Sequence, residues 1–220
     1  QERRARGETI LCVAQVHEQL PYMAGDAELP REVFDIPLQE SEASTLFSTP
    51  NMPVTVQDHC IGLYASTLVP DGGSLQIGIG AMGDAVSAAL LQRHRDNPAY
   101  RAALDDLQGG QVHPLCNALG DLQPFRTGLY GCSEMFVNGL LELADAGLLR
   151  RTSDQQEVVL HGGFFLGPQS FYQRLRAITL EQRAPFAITP LSFLTAPYSP
   201  SVPKRTHPPF TRFINPAPPM

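Results

Sequence analysis

The stretch from Ser74 to Arg95 constrains what this 220-residue chain can fold into more than any other. A short apolar run, Ser74 to Ile79, leads into Gly78-Ile79-Gly80-Ala81-Met82-Gly83. Residues Asp84 to Arg95 then have helical spacing, with Ala85, Ala88, Ala89 and Leu91 on one face. A strand that turns through glycines directly into a helix is the opening half of a parallel strand-helix-strand unit.

The same alternation recurs downstream. Leu129 to Cys132 reads as a brief strand and Met135 to Leu149 as an amphipathic helix, with Phe136, Leu140, Leu143, Ala144 and Leu148 sharing a face. Glu157 to Phe165 reads as a strand and Gln169 to Ile178 as a helix. Upstream, Val56 to Leu68 has helical spacing that places Ile61, Tyr64, Ala65 and Leu68 inward, and Ala99 to Leu107 fits one more helix. The implied fold class is α/β, a mostly parallel sheet with flanking helices.

Both ends differ from this middle. Thr9 to Val16 reads as a strand, and residues 17–55 are punctuated by Pro21, Pro30, Pro37, Pro50 and Pro53, so no long helix fits there. Ten prolines fall among residues 185–220, which predicts an irregular, Pro-rich C-terminal tail. The expected organisation is therefore the end of a preceding domain and a linker over 1–54, an α/β domain over 55–184, and the tail over 185–220. A first residue of Gln rather than Met suggests a piece of something longer.

The formal net charge of −6 argues against DNA, RNA or anionic lipid as a main partner, since those require clustered Lys and Arg. Charged residues are 17% of the chain, against a usual ~25%, which suggests surface covered by another domain or by a second copy in a homo-oligomer. Cys12, Cys60, Cys116 and Cys132 form no CxxC pair, so reduced thiols in a cytoplasmic protein are expected, without a metal site. No run of ~18 apolar residues marks a membrane span.

The glycine turn is a natural anion site, because backbone N–H groups converge there with a helix N-terminus. Its spacing satisfies GxGxxG, which leaves three readings open: an NAD(P)-binding Rossmann-type domain, another phosphate-bearing ligand, or glycines that only permit close packing. Asp84, in the first turn of the helix, would repel a nearby phosphate, and no second strand ending in an acid follows at the usual interval of about 20 residues.

Asp71-Gly72-Gly73-Ser74-Leu75-Gln76-Ile77-Gly78-Ile79-Gly80, continuing to Asp84-Ala85-Val86, resembles the DG-x-x-LQ-x-GIG-x-x-x-DAV signature of the acetyl-CoA hydrolase/transferase family. Ser133-Glu134-Met135, followed by Gly139, is similar to that family's SEM-x-x-x-G block, and Leu160 to Pro168 is a third similar stretch. The resemblance covers roughly Thr55 to Ile188. It implies a CoA-transferase-like fold and coenzyme A bound at Gly78, Ile79, Gly80, Ala81 and Met82. Glu134 would be the nucleophile that becomes a glutamyl-CoA thioester. The substrates would be an acyl-CoA and a small carboxylate, or water in a hydrolase, with no permanently bound cofactor.

Nearby polar residues take plainer readings. His161 reads as a hydrogen-bonded core histidine, Ser133 as a group orienting the turn beside Glu134, and Cys132 as a small buried hydrophobe. A later GG-x-G-G-Q-x-x-F block of the family has no counterpart here. The fragment is therefore expected to be weakly active alone, with a non-catalytic remnant or interaction module as the competing reading.

Overall fold

The computed structural model describes residues 2–39, 46–48, 52–109, 111, 113–153, 157–191, 194 and 210–213. It begins with α1 (Glu2–Ala5), β1 (Val13–Val16), β2 (Ala24–Gly25) and β3 (Ile36–Gln39). The central part runs α2 (Val56–Ser66), β4 (Ser74–Ile77), α3 (Ala81–Arg95), α4 (Asn97–Gln108), α5 (Pro114–Leu119), β5 (Tyr130–Phe136) and α6 (Asn138–Asp145). It continues with β6 (Leu160–Phe165), α7 (Gln169–Ala177), α8 (Leu180–Arg183), β7 (Phe186–Ile188) and β8 (Phe210–Phe213).

Among the described residues six strands form one sheet in the order β2-β7-β6-β5-β4-β8, and neighbouring strands in it pair parallel. This is the α/β class that the alternation implies. Strands β4 to β7 advance one place at a time, with helices in each connection. Crossovers of uniform hand that keep moving in one direction deliver their helices to one face. Accordingly Val86 and Leu90 of α3, Leu140 and Leu143 of α6, and Phe171 and Leu175 of α7 join a single apolar cluster with Leu75, Ile77 and Leu160 of the sheet. Phe136 packs edge-on against Phe171, ring centres 5.6 Å apart, and seals β5 to α7.

Several boundaries differ from the sequence reading. Helix α3 begins at Ala81 rather than Asp84, so Ala81, Met82 and Gly83 of the glycine stretch lie inside it. Helix α2 buries Gly62 and Ser66 and leaves Ile61 and Tyr64 49% and 41% exposed. The reason is close packing: a Cβ on Gly62 would stand 2.6 Å from the Ala85 carbonyl oxygen. The largest change is in β5, which runs to Phe136, while α6 starts only at Asn138. Met135 and Phe136 pair with Phe164 and Phe165 of β6, and that partner holds them extended.

The N-terminal stretch read as irregular supplies β2 to the edge of the main sheet and β3 to a two-stranded parallel pair with β1. Within the range read as a Pro-rich tail, β7 lies between Pro185 and Pro190, and β8 pairs with β4. Prolines flank these strands, where a missing N–H costs no ladder bond. The rest of 195–220 lies outside the described residues. Among the described residues no helix is long and apolar enough to cross a membrane.

Two anchors, one buried and one half-buried, return the long connection between α3 and β5 to the sheet. Arg93 is fully buried, donates to the carbonyls of Gln123 (2.7 Å), Val69 (2.6 Å) and Ser66 (3.3 Å), and stacks on Phe125 at 4.1 Å. Asp71, just ahead of β4, accepts the backbone N–H groups of Arg126 (3.0 Å), Thr127 (2.9 Å) and Gly128 (2.9 Å), just ahead of β5. Burial alone would raise the Asp71 carboxyl, but those three N–H donors outweigh it and hold the group below the ordinary carboxylate range.

A carboxylate depressed in this way contributes stability that is complete above its unfolded pKa and is lost as pH falls through the lower folded value. Asp71→Asn is therefore expected to lower unfolding free energy by about 2 kcal/mol at neutral pH. The gap to the wild type should close below about pH 4. Urea titrations across pH check this, and a gap that stays constant down to acid pH would refute it.

Candidate active site

Strand β4 stops at Ile77, whereas its neighbour β5 continues to Phe136. The two are in register at Ser74 with Tyr130 and Leu75 with Gly131, so Ile77 stands beside Ser133. The Ser133 hydroxyl, itself buried, donates to the Ile77 carbonyl at 2.8 Å. Glu134 follows immediately and is exposed. It therefore lies next to the point where Gly78 leaves the sheet, at the carboxyl end of the parallel strands. Open α/β sheets bind their ligands outside the carboxyl ends of the strands. Glu134 lies within strand β5, two residues before its end.

On the other side of β5, Ser133 pairs with Gly162, which puts Gly163 beside Glu134. A Cβ on Gly163 would come within 2.9 Å of the Glu134 carbonyl oxygen and 2.8 Å of Leu191. The glutamate is thus flanked on both neighbouring strands by glycine backbone. Sequence reasoning placed the Leu160 to Pro168 stretch near the family pattern but gave its glycines no role; their strand partner supplies it.

The glycines of the loop divide their tasks. Gly80 caps α3 at φ 106°, a conformation L side chains rarely adopt. Gly83 lies against the loop, where a Cβ would meet the Gly78 carbonyl oxygen at 2.3 Å. Gly78 has neither need: its φ is not positive, and a Cβ there would meet nothing within 4 Å. Open space over Gly78 is what a backbone-binding ligand requires. No side chain caps α3, whose first turn contains Ala81 and Met82, while Ile79 at the loop tip is 39% exposed. The N-terminal N–H groups of a 15-residue helix therefore face the same opening.

Asp84 does not oppose an anion as strongly as its position in the sequence implies. Burial, with Glu142 nearby, pushes its carboxyl above the ordinary range, which favours the neutral form. Its Oδ1 instead lies near Gly139, at the start of α6. His161 is 1% exposed, shares a 2.6 Å hydrogen bond with the Tyr130 hydroxyl, and is held by burial below the usual histidine value. Burial pushes the Cys132 thiol up to about 11. Both are core groups, as their sequence context implies.

No protein-family model matches the chain. It is 33% identical over 114 residues to a succinyl-CoA:acetate/propanoyl-CoA:succinate CoA transferase of Fasciola hepatica, a match that spans 51% of this chain and 23% of that protein. Its fold is similar to that of RipA from Yersinia pestis, with a TM-score of 0.60, 20% identity, and coverage of 84% of this chain and 34% of that one. It is also similar to a 4-hydroxybutyrate CoA-transferase from Porphyromonas gingivalis, with a TM-score of 0.56, 18% identity, and coverage of 86% and 38%. The chain is thus CoA-transferase-like in fold, and it spans well under half the length of these relatives.

The division of labour among the glycines predicts a contrast in stability. Gly83→Ala should cost about 2 kcal/mol, because the new methyl meets loop backbone that cannot yield cheaply. Gly78→Ala should stay within about 0.5 kcal/mol of the wild type, since the added carbon meets open space. Equal losses for the two variants in urea denaturation would contradict this assignment.

Proposed function

We propose that the chain is the CoA-binding, nucleophile-bearing part of an acyl-CoA:carboxylate CoA-transferase, with Glu134 carrying CoA as a thioester between donor and acceptor. The observation that carries this reading is an exposed carboxylate standing beside an open glycine turn, at the carboxyl ends of adjacent parallel strands. Sequence identity to a CoA transferase across half the chain supports it.

In the proposed reaction a Glu134 carboxylate oxygen attacks the acyl carbonyl, and the C–S bond breaks to release CoA thiolate and leave a mixed anhydride. The thiolate then attacks the glutamyl carbonyl, which forms the glutamyl-CoA thioester and expels the acyl group as a carboxylate. An acceptor carboxylate reverses the two steps and leaves with CoA, restoring Glu134. Water attacking the thioester instead gives net hydrolysis. Glu134 is exposed in this chain, so hydrolysis would accompany transfer. Gly78, Ile79, Gly80, Ala81 and Met82 would hold the coenzyme through backbone N–H groups and the α3 terminus. CoA is here a substrate, not a resident cofactor.

The relatives are much longer, and the loss of even one oxyanion donor can lower a rate by about 10²–10³-fold. Covalent labelling is therefore a better test than turnover. Incubation with acetyl-CoA should add the mass of CoA to the intact chain, and hydroxylamine should remove it. Glu134→Gln should abolish the adduct without lowering the melting temperature. An adduct that survives this substitution, or a wild-type chain that never labels, would end the proposal.

One observation favours a second reading. An acid near the end of the strand beside a glycine-loop strand is where dinucleotide folds hold a ribose hydroxyl. Uptake of NADH in equilibrium dialysis, with no labelling by acetyl-CoA, would move the assignment there.

A further inference from the structure

The pairing between β4 and β5 covers their first residues, Ser74 with Tyr130 and Leu75 with Gly131. Beyond it, the Ser133 hydroxyl donates to the carbonyl of Ile77, the last residue of β4, at 2.8 Å from a side chain only 2% exposed. One bond thus ties the residue preceding the glycine turn to the residue preceding Glu134. Gly78, on the far side of that carbonyl, has no atom within 4 Å of its Cβ position, so side-chain packing there does not fix it.

We infer that Ser133 is a positioning residue that sets the spacing between the CoA-binding turn and the nucleophile, so that a thioester held by the turn reaches Glu134. The inference rests on the proposed CoA chemistry of Glu134 and goes beyond it. Ser133 touches no substrate; it acts by fixing where the turn departs from the strand that carries the nucleophile. Losing it should leave the turn able to bind CoA but deliver the thioester carbon imprecisely. Misplacement by about 1 Å can cost about 10²-fold in rate.

Ser87 is the natural control. It is 1% exposed, and its hydroxyl donates at 2.9 Å to the Gly83 carbonyl within α3. Removing it takes away an equally buried hydroxyl without touching the connection between Ile77 and β5.

The test compares the wild type, Ser133→Ala, Ser133→Thr and Ser87→Ala as intact chains. Three quantities are read: the single-turnover rate of CoA-adduct formation, the dissociation constant for free CoA, and amide hydrogen exchange over residues 77–82. Ser133→Ala should slow labelling by about tenfold to a hundredfold. It should change the affinity for free CoA by less than about threefold and speed exchange in the turn. Ser133→Thr, which keeps the hydroxyl, should label within about threefold of the wild type, and so should Ser87→Ala. A Ser133→Ala chain that labels at the wild-type rate overturns the inference and leaves the role of Glu134 intact. So does a parallel loss of labelling and CoA affinity in both alanine variants, which is the mark of general destabilisation. A wild-type chain that does not label removes the CoA chemistry itself, and with it the role assigned to Ser133.

Discussion

Asp71 holds β4 and β5 together at their beginnings, and the rest of the site depends on that constraint. Its carboxylate gathers the backbone N–H groups of residues 126–128, so two segments more than fifty positions apart in sequence enter the sheet side by side. Gly72 adds a backbone bond of 2.9 Å to the Gly128 carbonyl. With the start of each strand fixed, unequal strand length becomes a geometric device. The shorter β4 ends in a glycine turn, the longer β5 carries on, and Glu134 emerges beside the gap. Arg93 serves the same end from the other side. It neutralises three inward-facing carbonyls, so the connection from α3 to β5 can fold back without burying unpaired acceptors.

The fold class was legible because its main signal is local. The run from Ser74 to Arg95 announces a strand, a turn and a helix in one sentence of sequence, and the structure keeps all three. What was illegible is non-local. Phe136, Leu140, Leu143 and Leu148 have helical spacing, and nothing within Met135 to Leu149 says that its first two residues belong to a strand. That information lies in Phe164 and Phe165 of β6, which pair with Met135 and Phe136. The same holds for α2, whose larger apolar residues suggested the wrong buried face. A helix that packs through Gly62 approaches its neighbour too closely for Ile61 or Tyr64 to lie between them.

The site was legible as residue types but not as roles. Three glycines in Gly78 to Gly83 look alike in sequence, yet one is required by its dihedral angle, one by a backbone contact, and one by neither. Only the last leaves room that the fold itself does not use. Ser133 was legible as a group orienting the turn beside Glu134, but its partner was not, because that is a carbonyl 56 positions earlier. Asp84 misled for the opposite reason. A charge beside an anion-binding turn looks adverse on paper, but burial and the neighbouring Glu142 push its equilibrium towards the neutral form.

The same electrostatic logic favours the carboxylate over the thiol two residues before it as the proposed nucleophile. Cys132 and Glu134 lie two apart on one strand, yet their surroundings differ: the thiol packs with Tyr130 and Leu194, while Glu134 is exposed. A thiol raised to about 11 presents almost no thiolate at neutral pH, however close a thioester comes. His161, which could have served as its base, is engaged with the Tyr130 hydroxyl and buried. A carboxylate is an accepted covalent nucleophile. In the proposed reaction it would form an anhydride that a thiolate opens, so energy stored in one thioester would pass to another. The proposed transfer conserves a high-energy bond instead of spending it, and what it asks of this chain is an acid at the end of a parallel strand and a turn beside it that holds the thioester within reach.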